Sequence, residues 1–400
     1  MVEAPRFLED STRKTIDLAH RNIVHPRLTQ GEAHKDREIA HERALNLAEK
    51  IQNNRIAMIL MANFFTFRDP ILKTELGSMI APNPLGIAGG FDKNARIYRL
   101  LGEGLGLGIV TVGSVTKVPY KGNDRPRIFD LPQNDGLINR MGFPGDGTDQ
   151  AEARLKRDQR PRRYALVINV AASRPSFDRS TQIEDYGQAF QQMLPYGEGI
   201  EVNVSSPNTP GVRGLQEPEV FEELASHIAS LRRDTQYKNK PLIYKFGPDL
   251  PYDKLTKDLQ IAIDNGANGV TLTNTSTDQS IRDSLIPEQH SQEAGGMSGA
   301  LLNSRSLEVT RRAYDFVGET IFIIRAGGVR GTASDLWEAF TFGGASAAET
   351  YASFVRVTTS TPNYSVYALK ELAKAMRVEG MASMKDFKEL RGKKIAYPLR

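Results

Sequence analysis

Eight short apolar runs alternate with helix-like runs over most of the chain, and this alternation limits the possible folds more than any other feature. From Asn83 onward, successive apolar runs lie roughly thirty residues apart. The predicted strands are Leu85–Ala88, Gly108–Gly113, Ala165–Val170, Ile200–Val204, Leu242–Phe246, Gly269–Thr273, Ile321–Ala326 and Ala345–Tyr351. The predicted helices are Ala95–Gly102, Tyr186–Leu194, Val220–Arg233, Tyr252–Asn265, Ser306–Val317 and Ala333–Phe342. Eight such units predict an α/β fold, the (β/α)8 TIM barrel, with a doubly wound parallel sheet as the alternative.

Nearly every predicted strand ends in polar or glycine residues. In chain order these are Asp92 and Lys93, Ser114 and Thr116, Asn169, Asn203–Asn208, Lys245, Asn274 and Thr275, Gly327 and Gly328, and Tyr351. The carboxyl ends of barrel strands meet at one mouth, where active sites are built. We therefore predict that these residues, although distant in sequence, form one functional site.

The segment Gly199–Gln216 is the most informative of these strand ends. A strand pattern of period two, with Ile200, Val202 and Val204, leads into a proline-containing loop of hydroxyl and amide side chains. This composition suits a site that holds a planar polar ligand, and an ordinary polar turn is the alternative. The four amides Asn139, Asn203, Asn208 and Asn274 together match the donors and acceptors of a cyclic imide.

Lys245 lies within an otherwise apolar predicted strand, so its ammonium group requires an anionic partner or a ligand. A reduced flavin or a carbonyl substrate would explain it, and an internal ion pair is the alternative. Gly299, Gly327 and Gly328 would allow backbone N–H groups to approach a phosphate at the usual barrel position. A Schiff-base aldolase using Lys245 is less favoured, because the Asn and Ser loops suit imide recognition better.

Composition excludes several classes of function. The chain has no cysteine, which excludes disulfides, thiolate metal sites and cysteine nucleophiles, and we predict no metal site. The 52 basic and 48 acidic residues are interspersed and leave a net charge of +4, which indicates a solvated surface and no nucleic-acid partner. At 400 residues without a linker-like segment in its middle, the chain is long enough for one large barrel.

The N-terminal region differs from the rest. Residues 1–37 are charged and irregular and predict an extended arm or short helices, whereas residues 38–75 have helical periodicity. Within the latter, Ile56–Phe65 is apolar nearly all round and too short to span a bilayer. This run either packs on the protein or forms a face that enters a lipid surface. The first residues lack the apolar region of a signal peptide.

Several motifs in order resemble those of class 2, quinone-dependent dihydroorotate dehydrogenase. They are the segments Asn83–Asn94, Val110–Thr116, Gly122–Phe129, Leu137–Phe143, Asn203–Gln216, Leu272–Thr275 and Gly295–Gly299. The likeness extends from about His41 to the C-terminus. It implies a flavin barrel over residues 76–400 that oxidises dihydroorotate to orotate in pyrimidine synthesis and passes the electrons to a membrane quinone. The cysteine-free chain agrees with this class, which uses serine as its base.

The resemblance implies roles for individual residues. Ser206 would be the catalytic base. The implied substrate-binding residues are Lys93, Asn139, Arg140, Met141, Gly142, Phe143, Asn203, Asn208, Asn274 and Thr275. The implied FMN-binding residues are Ala88, Gly89, Gly90, Asp92, Ser114, Asn169, Asn203, Lys245, Thr273, Gly299, Gly328, Tyr351 and Ala352.

The resemblance also implies that the helical segment 38–75 associates with the membrane surface and admits the quinone. His41 and Arg127 would line the inner end of the quinone site. The implied location is the mitochondrial inner membrane, with the protein bound peripherally.

Four departures from the family pattern surround the predicted flavin site. Ala171, Ala172 and Ser173 replace a Gly-Lys-Asn sequence, Arg325 and Ala326 replace Gly-Val, Glu349 replaces glutamine, and Leu301 replaces proline. Arg325 would either pair with the cofactor phosphate or occupy the cofactor's space, where Glu349 could pair with it. The alternative function is accordingly a catalytically impaired paralogue that serves as a structural or interaction subunit of a mitochondrial membrane complex.

Overall fold

Eight parallel strands close into a barrel in the computed structural model of this chain. The structure describes residues 28–399 except 29, 35, 159, 174–177, 210, 286–289, 291 and 352–363. Around the barrel the strands are β3 (Leu85–Ile87), β4 (Ile109–Val115), β7 (Ala165–Val170), β8 (Gly199–Asn203), β9 (Leu242–Phe246), β10 (Gly269–Leu272), β12 (Phe322–Arg325) and β13 (Ala347–Thr350). The predicted TIM barrel with an N-terminal helical extension is confirmed.

Helices surround the barrel and pack against it. They are α1 (Arg37–Gln52), α2 (Arg55–Phe65), α3 (Gly147–Arg157), α4 (Arg179–Met193), α5 (Pro218–Arg233), α6 (Tyr252–Asp264), α7 (Gln279–Leu285), α8 (Asn303–Val317), α9 (Ala333–Phe340) and α10 (Tyr364–Val378). Each barrel helix buries an apolar stripe; α5, for example, buries Phe221, Leu224, Ala225 and Ile228.

Two small antiparallel sheets close the ends of the barrel. The hairpin of β1 (Thr74–Leu76) and β2 (Met79–Ala81) inserts Leu76, Met79 and Ala81 among apolar residues at the amino-terminal end of the strands. At the opposite end, β5 (Ile128–Leu131), β6 (Gly136–Asn139) and β11 (Gly296–Gly299) form a sheet beside the mouth. Strand β6 brings Asn139 to the mouth, so this sheet supplies part of the site.

The N-terminal helices form an amphipathic pair. Asp36 caps α1 and Asn54 caps α2 through side-chain oxygens that accept from backbone N–H groups. Leu45 and Phe65 are buried, whereas four apolar residues of α2 are exposed: Ile56, Ile59, Leu60 and Phe64. Their spacing of three and four places them on one stripe of the helix. Within the described residues, the helices include none with the length and apolar character needed to cross a membrane.

Some predictions of local structure were wrong. The helix expected over Ala95–Gly102 is largely replaced by a π-helical turn at Leu100–Gly104. Neither the antiparallel sheet at the mouth nor α3 was predicted. Most of the predicted arm over residues 1–37 lies outside the described residues, and the proposed domain boundaries stay a prediction.

Candidate active site

A cavity opens at the carboxyl ends of the barrel strands, and most of the predicted site residues line it. Those residues are Ala88, Gly89, Gly90, Lys93, Ser114, Asn139, Met141, Gly142, Phe143, Asn203, Ser206, Asn208, Lys245, Thr273, Asn274, Thr275 and Tyr351. They come from strands β3, β4, β6, β8, β9, β10 and β13 or from the loops that follow them. The closed barrel is therefore what brings together residues that lie up to 263 positions apart, from Ala88 to Tyr351.

Four further residues line the cavity without having been assigned a place in the site. They are Pro144, Ser298, Leu302 and Ala326, while Pro207 and Gly327 line it as members of the predicted strand ends. Pro144 directly adjoins the predicted site residue Phe143, so sequence proximity alone was a usable signal. Ser298 and Leu302 reach the cavity through β11 and the turn after it, which no sequence pattern had predicted.

Ser206 is buried in the loop after β8, where it contacts another hydroxyl. Its Oγ lies 3.4 Å from Thr209 Oγ1 and accepts a 3.3 Å hydrogen bond from the Asn208 backbone N–H. Among the described residues, no carboxylate or imidazole hydrogen-bonds to Ser206. A proton accepted by Ser206 therefore has the Thr209 hydroxyl as its nearest onward acceptor.

The four amides form two hydrogen-bonded pairs at the cavity wall. Asn208 Nδ2 donates to Asn139 Oδ1 at 3.0 Å. Asn274 Nδ2 donates to Asn203 Oδ1 at 3.3 Å, and Asn203 Nδ2 donates to Ser114 Oγ at 3.0 Å. Because each amide is fixed by a neighbour, the remaining donors and acceptors are oriented before any ligand binds.

Two lysines bring positive charge to the cavity. Lys245 is 4% exposed within β9, and Lys93 follows β3. Among the described residues, neither ammonium group has an ion-pair partner within 4 Å. Burial lowers the pKa of Lys93 to about 8, and the negative charge of Glu38 opposes that shift. The cavity is therefore lined by two lysines that have no ion-pair partner among the described residues, which suits an anionic ligand.

Unsatisfied polar atoms also surround the cavity. Thr273 Oγ1 and Thr275 Oγ1 are buried without a hydrogen-bond partner among the described residues, and both threonines line the cavity. Asn169 Oδ1 is likewise unpartnered, and the Asn169 amide lies 3.4 Å from where a Cβ on Gly89 would stand. Buried polar groups of folded proteins are usually hydrogen-bonded. This group of free atoms therefore fits a large polar ring such as a flavin.

Among the described residues, five of those predicted to bind substrate or cofactor do not line the cavity, and local contacts explain their positions. Asp92 is buried and accepts hydrogen bonds from the backbone N–H groups of Arg96 and Ile97, each at 2.8 Å. It therefore holds the turn after β3 rather than a ligand or Lys93. The Arg140 side chain instead contacts Glu293 at 2.5 Å and stacks over the Phe129 ring.

The other three lie just behind the cavity wall. A Cβ at Gly328 would overlap the backbone of Asn303, and one at Gly299 would overlap the backbone of Asp135 and Gly136. Both glycines have positive φ and permit close backbone packing there. Asn169 is buried beneath Gly89, and the predicted cofactor residue Ala352 lies outside the described residues.

Arg325 and Glu349 occupy opposite faces of the barrel wall, so the suggested pairing between them does not occur. Arg325 points outward to α8, where its Nη2 donates to Asn303 O at 3.0 Å and contacts Ser306 Oγ at 3.3 Å. Glu349 points inward and accepts from Thr111 Oγ1 at 2.5 Å. Burial lowers the pKa of Arg325 to about 10, which leaves it charged at neutral pH. The cavity is therefore not filled by this guanidinium.

A second cavity lies between α1 and the barrel and shares Lys93 and Pro144 with the first. His41 lines it and donates through Nε2 to Phe91 O at 3.0 Å, since a carbonyl can only accept. Burial and the charge of Lys93 lower the pKa of His41 to about 3, so the ring is neutral near pH 7. The predicted quinone residue His41 is thus adjacent to the predicted substrate residue Lys93.

Arg127 joins the same region from the side. Its guanidinium makes two 2.7 Å hydrogen bonds to Glu38 of α1 and further bonds to the carbonyls of Lys121 and Asn123. Partial burial favours protonated Glu38, but the hydrogen bonds and charge of Arg127 hold its pKa below the usual value. Glu38 was not predicted as a site residue. It lies three residues before His41 on a helix, and this spacing places the two side chains on the same helix face.

Comparison with known proteins matches this architecture and these motifs to one family. The family model described as dihydroorotate dehydrogenase matches residues 71–375. The chain belongs to the dihydroorotate dehydrogenase family. It is 36% identical over 356 residues to dihydroorotate dehydrogenase (quinone) of Thermus thermophilus, covering 88% of this chain and 97% of the relative. It is also 36% identical to the Synechocystis dihydroorotate dehydrogenase (quinone), covering 76% of this chain and 81% of the relative.

A solved structure agrees with this assignment to the dihydroorotate dehydrogenases. The crystal structure of the Eimeria tenella DHODH in complex with ferulenol matches with a TM-score of 0.76 at 26% sequence identity. The match covers 88% of this chain and 94% of the Eimeria chain. The predicted family and the predicted enzyme class are confirmed.

Proposed function

We propose that this dihydroorotate dehydrogenase oxidises dihydroorotate to orotate with FMN as its cofactor and a membrane quinone as its electron acceptor. The observation that carries the proposal is the convergence of Ser206, four amides and two unpaired lysines on one cavity. Membership of the family supports the substrate, and relatives named for the quinone support the acceptor.

The residues of the cavity divide between ligand binding and proton transfer. Lys93 supplies a cation for the substrate carboxylate, and the fixed amides of Asn139 and Asn208 supply hydrogen bonds for the imide edge. Ser206 takes the proton at its Oγ, and the Thr209 hydroxyl beside it passes the proton onward. A serine hydroxyl needs this onward acceptor because its alkoxide is costly to form.

The opposite part of the cavity holds the cofactor. Thr273, Lys245, Ser114 and Tyr351 would hold the ring, and the loop containing Gly327 would hold the phosphate. FMN, when bound, supplies the two-electron acceptor for the substrate. Lys245 would supply positive charge to stabilise the reduced cofactor.

The second cavity and the exposed stripe of α2 support the remaining part of the proposal. His41, Glu38 and the adjoining Arg127 place polar groups at the inner end of a passage between α1 and the barrel. Ile56, Ile59, Leu60 and Phe64 present an apolar stripe through which the protein docks on a lipid surface. A hydrophobic quinone would enter from that surface and meet the cavity at Lys93.

Flavin binding and reduction test the function directly. The purified protein, with FMN added, should show a flavin absorption band that bleaches when dihydroorotate is added without oxygen. Protein that stays colourless after FMN addition would contradict the proposal and favour the impaired paralogue. That alternative has lost one of its supports, since Arg325 faces away from the cavity.

Replacement of Ser206 tests the proton transfer. Ser206→Ala should keep the flavin band but slow its bleaching by dihydroorotate by about 10²- to 10⁴-fold, the usual contribution of a positioned base. Thr181→Ala removes an exposed hydroxyl in the first turn of α4 that donates to the N-cap residue Asp178, so it serves as the matched control and should bleach at the parent rate. Unchanged bleaching in Ser206→Ala would remove Ser206 from the mechanism.

A further inference from the structure

Beneath the cavity, the barrel interior contains two carboxyl groups that the proposed mechanism does not use. Glu201 of β8 and Glu349 of β13 are each 1% exposed. The charged groups that face Glu349 are Glu201 and Lys245 of β9. The inward residues of the other barrel strands at this level are uncharged, and they are Gly86, Thr111, Asn169, Thr271 and Ile324.

The hydrogen bonds distinguish the two carboxyl groups. Glu201 accepts at both oxygens, from Asn169 Nδ2 and from Thr271 Oγ1. An ionised carboxylate is an acceptor only, so this environment suits the charged form. Glu349 accepts from Thr111 at Oε1 alone, and its Oε2 has no partner among the described residues. The environment of Glu349 therefore suits a protonated acid.

Electrostatics agree with this division. Burial and the negative charge of Glu201 together raise the pKa of Glu349 to about 8, against the opposing charge of Lys245 and the hydrogen bond from Thr111. Two carboxyl groups in one buried layer do not both ionise readily, because like charges repel strongly there. One proton therefore resides on Glu349 at neutral pH, while both oxygens of Glu201 act as hydrogen-bond acceptors.

The charge on Glu201 determines how the Asn169 amide is oriented. Because the carboxylate accepts only from the amide nitrogen, Asn169 must direct Nδ2 to Glu201 and leave Oδ1 free. The Asn169 Cγ and Nδ2 atoms lie 3.4 Å from the Cβ position of Gly89, and Gly89 lines the cavity. The free Oδ1 belongs to the same amide group, so a buried acceptor lies close behind the wall where the cofactor is proposed to bind.

We propose that Glu201 is a positioning residue for the flavin. Glu201 fixes the Asn169 amide so that the amide oxygen is free to accept from an N–H group of the ring, and the proton on Glu349 limits the negative charge beneath that ring. This inference rests on the proposed function, since it assumes a flavin in the cavity. It assigns a role to Glu349, which stands where the family usually has a neutral glutamine. Protonated glutamic acid and glutamine are both neutral there.

Two substitutions separate the roles. E201Q offers Asn169 an amide that can donate as well as accept, so the orientation of Asn169 is lost. We expect its dissociation constant for FMN, measured by flavin fluorescence, to rise by about tenfold, the loss of one neutral hydrogen bond between Asn169 Oδ1 and the ring. An FMN affinity equal to the parent's would overturn the role of Glu201.

E349Q removes the proton and keeps the shape of the side chain. The flavin midpoint potential of the parent should fall below that of E349Q as the pH rises through about 8, because ionised Glu349 disfavours added negative charge on the ring. Identical pH dependence of the two potentials would overturn the role of Glu349. This comparison still tests the inference if E201Q fails to fold.

An infrared measurement on the flavin-free protein distinguishes failure of this inference from failure of the proposed function. At pH 6.5, subtracting the E349Q spectrum from the parent spectrum should leave the carbonyl stretch of one buried protonated carboxylic acid, because the band of protonated Asp258 is common to both proteins. A parent that shows this band but binds no FMN contradicts the proposed function and the positioning role together. A parent that binds and reduces FMN but lacks the band contradicts the assignment of the proton alone.

Discussion

Lys93 occupies the boundary between the two cavities, and its charge should control substrate affinity. Burial lowers its pKa to about 8, so the free protein loses this cation as the pH rises through 8. We expect the KM for dihydroorotate to rise between pH 7 and pH 9 as the ammonium group becomes neutral.

The Lys93→Met variant provides the comparison, because it has no charge to lose. Its KM should be higher than the parent's at pH 7 by roughly 10- to 100-fold, the loss of a charge-assisted hydrogen bond. Its KM should also change little with pH over the same range. A parent KM that stays constant from pH 7 to pH 9 would show that Lys93 does not hold the carboxylate.

Asp258 of α6 is a buried carboxyl group outside the site, and it should reduce stability. Both of its oxygens lack a partner among the described residues, and burial together with the charge of Glu217 raises its pKa to about 8. Between the unfolded pKa near 4 and this value, the folded state holds a proton that the unfolded state releases. The free energy of unfolding contributed by this group is therefore highest below pH 4 and falls as the pH rises toward 8.

The Asp258→Asn variant should remove that dependence. At pH 8 its free energy of unfolding should exceed the parent's by on the order of 1–3 kcal/mol, the cost of an unpaired buried polar group. Urea unfolding at pH 5 and pH 8 measures both values. Asp253→Asn, at an exposed position of the same helix, should change stability by less than about 0.5 kcal/mol. Equal stabilities of Asp258→Asn and the parent at pH 8 would contradict the raised pKa.

At the scale of elements, α2 is the helix whose surface is least explained by packing. Ile56 is 72% exposed, and Ile59 and Leu60 are each 51% exposed. Replacing Ile56, Ile59 and Leu60 together by serine should abolish binding to phospholipid vesicles in a flotation assay, because the inserted apolar area is lost. The melting temperature should not fall, since these side chains lie in solvent.

A matched substitution controls for general loss of surface hydrophobicity. Ile80, on the hairpin of β1 and β2, is 57% exposed, and Ile80→Ser should leave vesicle binding unchanged. Vesicle binding by the triple serine variant at the level of the parent would contradict a lipid-docking role for α2.

The barrel strands could be predicted from the sequence because both their faces are buried. Ala165–Val170 and Leu242–Phe246 were predicted with the bounds that the structure shows, since continuous apolar runs of this length occur in parallel sheets. The three-stranded sheet at the mouth could not be predicted in this way. Each of its strands has only four residues, and β6 pairs with β11 across a long sequence separation.

The site was predictable to the extent that its residues follow barrel strands. The strand ends converge at the mouth, and this brings Lys245, Asn203 and Asn274 to the cavity. The apolar patterns of the strands predict where those ends lie in the sequence. The direction of the Arg325 side chain could not be predicted from its residue type, because a shift of one position along a strand moves a side chain to the opposite face of the sheet. Glu38 belongs to the site through its contact with Arg127, and Thr209 through its contact with Ser206. Such contacts depend on the tertiary structure, so the sequence pattern did not predict them.

At the scale of the whole molecule, cofactor binding should stabilise the fold. If FMN binds the folded chain but not the unfolded chain, it raises the free energy of unfolding by about 2.7 kcal/mol when its concentration is one hundred times its dissociation constant. Calorimetry with and without FMN measures this effect. Riboflavin, which lacks the phosphate, should stabilise the protein less if the loop containing Gly327 contacts that phosphate. Equal stabilisation by the two compounds would contradict a phosphate site at this loop.

The hairpin of β1 and β2 fills one end of the barrel with Leu76, Met79 and Ala81, so the interior carboxyl groups face water only toward the mouth. A ring seated at the mouth would cover that remaining side. Exchange of the Glu349 hydrogen with bulk solvent should then become slow, and a sudden change in external acidity would reach the interior only when the ring departs. While the cofactor is bound, Glu349 would keep the protonation state that it had when the cofactor entered.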